Sequence, residues 1–364
     1  MAGVYISYPF CAQKCTFCNF ASGVFTQELE RNYLAALEAE IAAHQWAWTP
    51  ETVYLGGGTP SRIAAADLTR LLDRIPGRPW KEATMEAAPG TLTADGVAGW
   101  RAAGITRVSL GVQSFVTAEL RQTGRPHDAA IVARDVAMLR DAGIDDINLD
   151  LIAGLAGQTR ESWAESLDWI ERLRPTHVSV YIFEVDEDSR LGLEVLDGGR
   201  RYGAGAVPSE ELVAEMYQTA KDRLAQMGLA RYEISNFARA GFESRHNLKY
   251  WRLEPYVGFG SDAHSFDGEI RRANVEVPAE YVRRWQAGQA FVCEHTKAHP
   301  EEERFFIGLR LAEGVNVTRP ERARYERQLE RFFETGMLEW NGSAMRLTDR
   351  GVLLSNEILQ EFVG

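Results

Sequence analysis

Six short runs rich in apolar and β-branched residues alternate with longer segments in which apolar residues recur at helical spacing, and this alternation limits the folds open to the chain. The runs are 4–7, 52–55, 83–86, 107–111, 146–151 and 178–182. The helical segments between them are 28–44, 67–74, 95–103, 128–142 and 160–172, several opened by an Asp, Ser or Thr cap and followed by Gly or Pro. Gly104 and Gly143 stop the third and fourth. A strand reached through a crossover helix lies parallel to its predecessor. The pattern therefore predicts an α/β fold, and six units make a partial (β/α)6 barrel open on one side. In such folds chemistry gathers at the carboxyl ends of the strands.

Directly after the first run stands Cys11-Ala12-Gln13-Lys14-Cys15-Thr16-Phe17-Cys18, a CxxxCxxC spacing. A cubane 4Fe-4S cluster takes one thiolate per iron, so Cys11, Cys15 and Cys18 with no fourth cysteine nearby leave one iron open to a small molecule. A structural zinc site would close its tetrahedron with a further Cys or His at short spacing, and Asn19 and Phe20 cannot serve. Disulfides are disfavoured too. Four cysteines in 364 residues and no apolar signal-like run near Met1 predict a cytoplasmic chain in a reducing compartment. The fourth, Cys293, stands among charged residues near His295 and reads as a small buried hydrophobe, with a reactive thiol or soft ligand as the alternative.

At 45% hydrophobic and 25% charged residues, the chain can bury a substantial core and make more than one domain. No run approaches the roughly 18 consecutive apolar residues of a membrane span. A net charge of -12 argues against general affinity for nucleic acid, which depends on a positive field.

The remaining informative residues fall at strand ends. Gly56-Gly57-Gly58-Thr59-Pro60 follows the second run, where glycines let a ligand approach the backbone, although taken alone the segment reads first as a tight strand-helix turn. It lacks the Lys-Ser/Thr pair of a phosphate loop. Glu86 ends the third run, Gln113 follows the fourth, Arg125 lies in Gly124-Arg125-Pro126-His127, and Asp150 sits in Asn148-Leu149-Asp150-Leu151. A carboxylate among apolar strand residues is costly to bury unless a ligand hydroxyl, a cation or a neighbour takes it. Tyr5 can donate from its hydroxyl, and Arg125 can pair with a ligand carboxylate. The structural alternatives are an Arg125–Asp150 pair and a turn capped by Gln113.

The cysteine spacing resembles that of the radical S-adenosylmethionine (SAM) superfamily. There the amino and carboxylate groups of SAM chelate the open iron, and an electron from the cluster cleaves the sulfonium to a 5'-deoxyadenosyl radical. The resemblance implies a partial barrel and assigns Tyr5, Phe17, Gly57, Gly58, Thr59, Glu86, Gln113, Arg125 and Asp150 to SAM. The glycine segment would hold the methionyl amine, Arg125 the methionyl carboxylate, and the two acids the ribose hydroxyls.

Within that superfamily the chain resembles the branch of oxygen-independent coproporphyrinogen III oxidase and its relatives, the HemW-type haem chaperones. The likeness is carried by Tyr8-Pro9-Phe10-Cys11, the glycine segment, Leu110-Gly111-Val112-Gln113-Ser114-Phe115, Gly124-Arg125-Pro126-His127 and Asn148-Leu149-Asp150-Leu151-Ile152-Ala153-Gly154-Leu155. Two features favour the chaperones. Phe20 stands where the oxidase pattern has a fourth cysteine, and His246-Asn247-Leu248-Lys249-Tyr250-Trp251 resembles their HNxxYW signature. Tyr232 to Ala238 and Gly258 to Ser265 also fit, although Asp262 stands where a small residue is expected. The resemblance makes His246 a candidate haem contact, with Tyr250 and Trp251 as a flat apolar surface. The alternative is a histidine hydrogen-bonded within a folded core. His264 and the Cys293/His295 pair are rival ligands.

The chain divides into a barrel at 1–207, a connecting region at 208–290 that carries the HNxxYW segment, and 291–364. The connecting region opens with an amphipathic helix at 209–227. The last part has charged helical segments at 301–311 and 319–335, a hairpin around Asn341-Gly342 and a helix at 348–362, and it looks like a winged-helix module. Fold does not fix function, and the acidic charge of the chain argues against DNA binding; the resemblance to the carboxyl-terminal domain of this branch implies instead that the module closes the barrel or offers a partner surface. The resemblance thus implies a chaperone that binds a 4Fe-4S cluster, SAM and haem as cargo, and delivers haem to an acceptor protein. A haem donor and a homodimer are further expected partners, and SAM is either cleaved or an organising ligand. The alternatives are the oxidase itself, decarboxylating coproporphyrinogen III, and a related radical SAM methyltransferase.

Overall fold

The computed structural model describes residues 2–362. Strands β1 (Ala2–Tyr8), β2 (Pro50–Gly57), β3 (Glu82–Ala87), β4 (Arg107–Gln113), β5 (Asp146–Ala153) and β6 (His177–Ile182) pair in sequential order, all parallel. The crossovers are α1 (Gln27–Ala43), α2 (Ala65–Leu72), α3 (Ala94–Ala102), α4 (Thr117–Thr123) with α5 (Ala129–Asp141), and α6 (Arg160–Leu173). The side chains of Thr26, Thr93, Asp128 and Thr159 each accept a backbone N–H from the first turn of the helix they precede, which fixes where α1, α3, α5 and α6 begin.

Alternation along these strands separates two environments. On the outward face Val4, Ile6, Val53, Leu55, Met85, Val108, Leu110 and Leu149 are fully buried in the main hydrophobic core. Burial of each such side chain contributes roughly 1.5–3 kcal/mol. The inward face is polar: Thr52, Thr84, Ser109, Asn148, His177 and Ser179 are buried there as well. That is unlike the continuous apolar strands of most parallel sheets. The barrel interior is built to hold polar groups.

The sheet does not stop at β6. Beyond α7 (Arg190–Leu196) and α8 (Glu210–Gln226) come β7 (Ala230–Arg231), β8 (Asn236–Ala238), α9 (Arg245–Trp251), β9 (Tyr256–Phe259), β10 (His264–Phe266), β11 (Ile270–Asn274), α10 (Pro278–Gln286) and β12 (Val292–Lys297). Their strands extend the barrel sheet to twelve, in the order β12-β11-β10-β9-β1-β2-β3-β4-β5-β6-β8-β7. β9 is parallel to β1 and β8 antiparallel to β6. The order is linear, so the barrel stays open. The sequence alternation revealed only α8 of these elements, because the strands are short, carry charged residues and lack a clear period of two.

The remaining elements are α11 (Pro300–Gly308), β13 (Val315–Asn316), α12 (Arg319–Glu334), β14 (Leu338–Asn341), β15 (Ala344–Leu347), α13 (Asp349–Leu353) and α14 (Ser355–Leu359). The three strands form a separate antiparallel sheet, β13-β15-β14. Phe305, Tyr325 and Phe362 pack ring to ring at 5.0–5.3 Å and tie α11 and α12 to the end of the chain. The continuous helix expected at 348–362 is broken at Leu354 (φ -115°, ψ 24°). Among the described residues no helix is long and apolar enough to cross a membrane.

Candidate functional site

A cavity of about 800 Å³ opens at the carboxyl ends of the barrel strands, toward the large end of the roughly 300–1,000 Å³ usual for small-molecule sites. Cys11, Cys15, Cys18 and Phe17 line it. So do Gly57, Gly58, Thr59 and Glu86 and, from later strands, Gln113, Arg125 and Asp150. Residues spread over the first half of the sequence thus meet around one space. Tyr5 lies off this wall: its ring stacks on Tyr54 at 6.1 Å, and Tyr54 in turn donates to Glu86 at 2.8 Å.

The cysteine loop is held from several sides. The Cys11 N–H donates to Gly23 at 2.8 Å, the Thr16 N–H to Thr123 at 3.2 Å, and the Leu191 N–H to the Thr16 carbonyl at 2.8 Å. Arg190 reaches the Lys14 carbonyl, and Asn19 donates to Asp186 at 2.7 Å. The three cysteines are unpaired and half-buried. Among the described residues no three ligand side chains converge as they would on a single ion. A cubane cluster asks for something else, one thiolate on each of three irons. Three thiols spread around a cavity match that donor set.

Arg125 stands beside them with its buried Nε unpartnered. Burial pushes the Cys15 thiol up from its ordinary value, and the Arg125 guanidinium beside it pulls the other way. A buried guanidinium N–H without an acceptor is costly, and a carboxylate entering the cavity would relieve that cost. Gly124, which introduces the arginine, has φ 81°, and a Cβ there would lie 2.6 Å from Gln13 Nε2.

A Cβ on Gly58 would come within 2.8 Å of the Phe10 carbonyl oxygen, so only glycine lets this loop lie against the cysteine segment. The Gly58 N–H donates to Tyr8 at 2.7 Å and the Thr59 N–H to Phe10 at 3.0 Å. These donors are used within the protein, which leaves carbonyl acceptors for a ligand amine.

Glu86 and Asp150 are the inward carboxylates. Burial raises Glu86 to about 7, against hydrogen bonds from Tyr54 and the Gly57 N–H, and the charge of Asp150 adds to the rise. Burial also raises Asp150, opposed by hydrogen bonds from Ser179, Asn148 and Ser109. The alternative of an Arg125–Asp150 pair is not formed among the described residues. Asp150 is held instead by Asn148 Nδ2 at 2.7 Å and Ser109 Oγ at 3.2 Å. Nor does Gln113 simply cap a turn. It ends β4 at φ 68°, and its side chain lies over Gly111 next to Arg125. Tyr54, Ser109 and Asn148 were not singled out from the sequence, although 148 and 150 share a strand face by period alone.

His246 lies elsewhere. α9 packs across the amino-terminal end of the barrel, where Glu82 accepts the N–H groups of Arg245 at 2.8 Å and His246 at 2.9 Å. The imidazole is buried and stacks on Tyr54 at 5.2 Å. Its Nδ1 meets Thr52 Oγ1 at 2.9 Å and its Nε2 meets the Tyr250 hydroxyl at 2.8 Å. Burial, with Lys249 adding to it, lowers its pKa to about 3. Both ring nitrogens are hydrogen-bonded within the protein, which is the geometry of the core alternative rather than of a haem contact. The rival ligands differ. His264, Cys293 and His295 are exposed, and Cys293 is therefore no buried hydrophobe.

The family profile described as "Radical SAM superfamily" matches residues 5–170. The protein named heme chaperone HemW of Bacillus subtilis is 34% identical over the full length of both chains. The chain belongs to the HemW family. The namesake from Mycobacterium tuberculosis is 33% identical, covering all of this chain and 95% of the relative. Among solved structures, the coproporphyrinogen III oxidase HemN of Escherichia coli superposes with a TM-score of 0.84 at 22% identity, over 99% of this HemW-family chain and 89% of that one. At that identity the match establishes the fold, a radical SAM α/β barrel with a mixed sheet and helices. Membership of the superfamily implies a 4Fe-4S cluster and SAM, and the thiols, the Arg125 donor and the close-packed glycine loop fit both.

Proposed function

We propose that this HemW-family protein is a cytoplasmic haem carrier, which binds a 4Fe-4S cluster, SAM and haem and passes the haem to an acceptor protein. The observation that carries the reading is the full-length match to proteins named haem chaperones. Phe20 supports it. Where the oxidase pattern has a fourth cysteine, this chain presents an apolar ring 66% exposed at the cavity rim.

In this reading Cys11, Cys15 and Cys18 hold the cluster, which supplies an electron to bound SAM when that chemistry is called for. The chain's own residues do the rest. Arg125 fixes the methionyl carboxylate, the carbonyls of Gly57 and Gly58 take the amine, and Glu86 and Asp150 accept from ribose hydroxyls. Phe17 and Gln113 flank the ligand, and Tyr5 acts through Tyr54. Whether SAM is cleaved or only retained, these contacts are the same. Residues 1–207 carry the cofactors, 208–290 seal the barrel, and 291–364 cover its open side and face the partner.

The test is an anaerobic haem titration of cluster-reconstituted protein beside a cluster-free Cys15→Ser variant, followed by transfer to an apo-haem protein. Saturable, stoichiometric binding and transfer are expected. Weak non-specific binding together with turnover of coproporphyrinogen III would replace this reading with the oxidase.

A further inference from the structure

The cavity does not end at the residues assigned to SAM. Its wall continues past Tyr181, whose ring is 43% exposed, to Tyr217, Ile234 and Arg310, and then to 352–357. Apart from Ser235 and the arginine this stretch begins with aromatic and aliphatic side chains; Val352, Leu353 and Leu354 extend it, and Ser355, Asn356 and Glu357 end it with polar groups. Arg310 is delivered here from the carboxyl-terminal unit, because Leu311 bridges to Glu233 and the Ala312 N–H donates to Tyr232 at 2.9 Å.

The Arg310 guanidinium carbon sits 4.6 Å over the ring of Trp251, the last residue of the His246-to-Trp251 segment. Its Nε is buried without a partner. Glu233 nearby is 1% exposed and has one carboxylate oxygen unpartnered, and the Arg310 charge opposes the rise that burial imposes on it. No ion pair joins the two among the described residues. A guanidinium held flat by an aromatic face, lining a cavity and keeping a buried N–H free, is preorganised for a planar oxyanion. Glu86 and Asp150 in the same cavity make it a poor host for a multiply charged phosphate. The aromatic and aliphatic wall calls for a flat apolar body with a carboxylate arm.

We propose that Arg310 anchors a carboxylate side arm of a flat apolar ligand lying beyond SAM in this cavity, and that Trp251 is the positioning residue that holds Arg310 in place. The inference rests on the haem-carrier reading, in which the ligand is haem and the arm one of its propionates. It gives the HNxxYW segment a part in ligand recognition through its tryptophan.

The experiment compares haem with haem dimethyl ester, which lacks free carboxylates, by anaerobic titration of the reconstituted, SAM-loaded protein. The wild type is expected to prefer haem by about 10-fold or more, the worth of a charge-assisted hydrogen bond. Arg310→Met should bind the ester as the wild type does and lose the preference, while Arg310→Lys keeps part of it. Trp251→Phe should retain the ratio and Trp251→Leu lose most of it, with SAM affinity unchanged throughout. A full wild-type preference in Arg310→Met, or an equal loss of haem and ester, would overturn the anchor. Wild-type protein that binds haem and ester equally also sinks the anchor and spares the carrier reading, whereas wild-type protein that binds neither defeats both.

Discussion

Asn148 Nδ2 lies 2.7 Å from Asp150 Oδ1 on the inward face of β5, and the same amide nitrogen is 2.7 Å from Ser109 Oγ. On its other side Asn148 Oδ1 meets His177 Nδ1 at 2.7 Å, and His177 Nε2 meets the Tyr232 hydroxyl at 2.9 Å. One amide therefore couples the cavity-facing carboxylate to a buried polar chain along the barrel interior. With every member partnered, such a chain specifies one arrangement of the strands. Asn148→Leu should destabilise the protein by about 1–3 kcal/mol, the cost of stranding buried polar groups. Urea unfolding of the reduced protein checks this, and a wild-type midpoint would sink it.

Glu86 predicts how SAM binding responds to pH. Ribose hydroxyls donate to the ionised carboxylate, so SAM affinity should rise as pH increases through about 7, the value to which burial lifts this group. Glu86→Gln should flatten that profile. Stability moves the other way in SAM-free protein. The unfolded chain loses the proton near its ordinary carboxylate value while the folded chain keeps it, so the Glu86 contribution is present at low pH and lost as pH rises through about 7. Calorimetric titrations with SAM across this range, wild type beside Glu86→Gln, test the binding profile.

Removing the Arg125 guanidinium separates cluster binding from SAM binding. Arg125→Met should retain the iron and sulfide of the reconstituted wild type and lose about 10- to 100-fold in SAM affinity, as expected for a charge-assisted contact. Cys15→Ser should lose both. Equal SAM affinity in Arg125→Met and wild type would remove this residue from the site.

His246 should behave as a core residue. His246→Leu is expected to cost about 1–3 kcal/mol by stranding Thr52 and Tyr250, and to leave the absorbance of bound haem unchanged. Its pKa is lowered to about 3 from 6.5, so the neutral ring's contribution is complete above 6.5 and fades as pH falls toward 3. An altered haem spectrum in a variant of wild-type stability would return the histidine to the ligand list.

Much of this site could be read from the chain because its cues are local. The cysteines, the glycine loop and Arg125 are short motifs next to strands that alternation reveals, and the helices begin at capping residues. What escaped notice depends on distance. The Asp150 partners come from β4 and β6 as well as its own strand, so Ser109 and Ser179 had no signal of their own. Strands such as β7, with two residues, or β11, with two adjacent arginines, exist because a neighbour pairs with them. The His246 motif resembles a ligand segment, and only packing against Thr52 and Tyr54 shows its imidazole as part of the core. Nothing near position 310 in the sequence announces that its arginine meets Trp251.

The place of β1 in the sheet has a consequence for how the protein is made. One edge of Ala2–Tyr8 pairs with Pro50–Gly57, but the other waits for Tyr256–Phe259. During synthesis the strand that carries the cysteine loop therefore leaves the ribosome long before its second neighbour exists. Until then it offers an open edge, the kind of surface on which chains aggregate. A nascent chain stalled before residue 256 is consequently vulnerable at the very strand that leads into the cysteine loop.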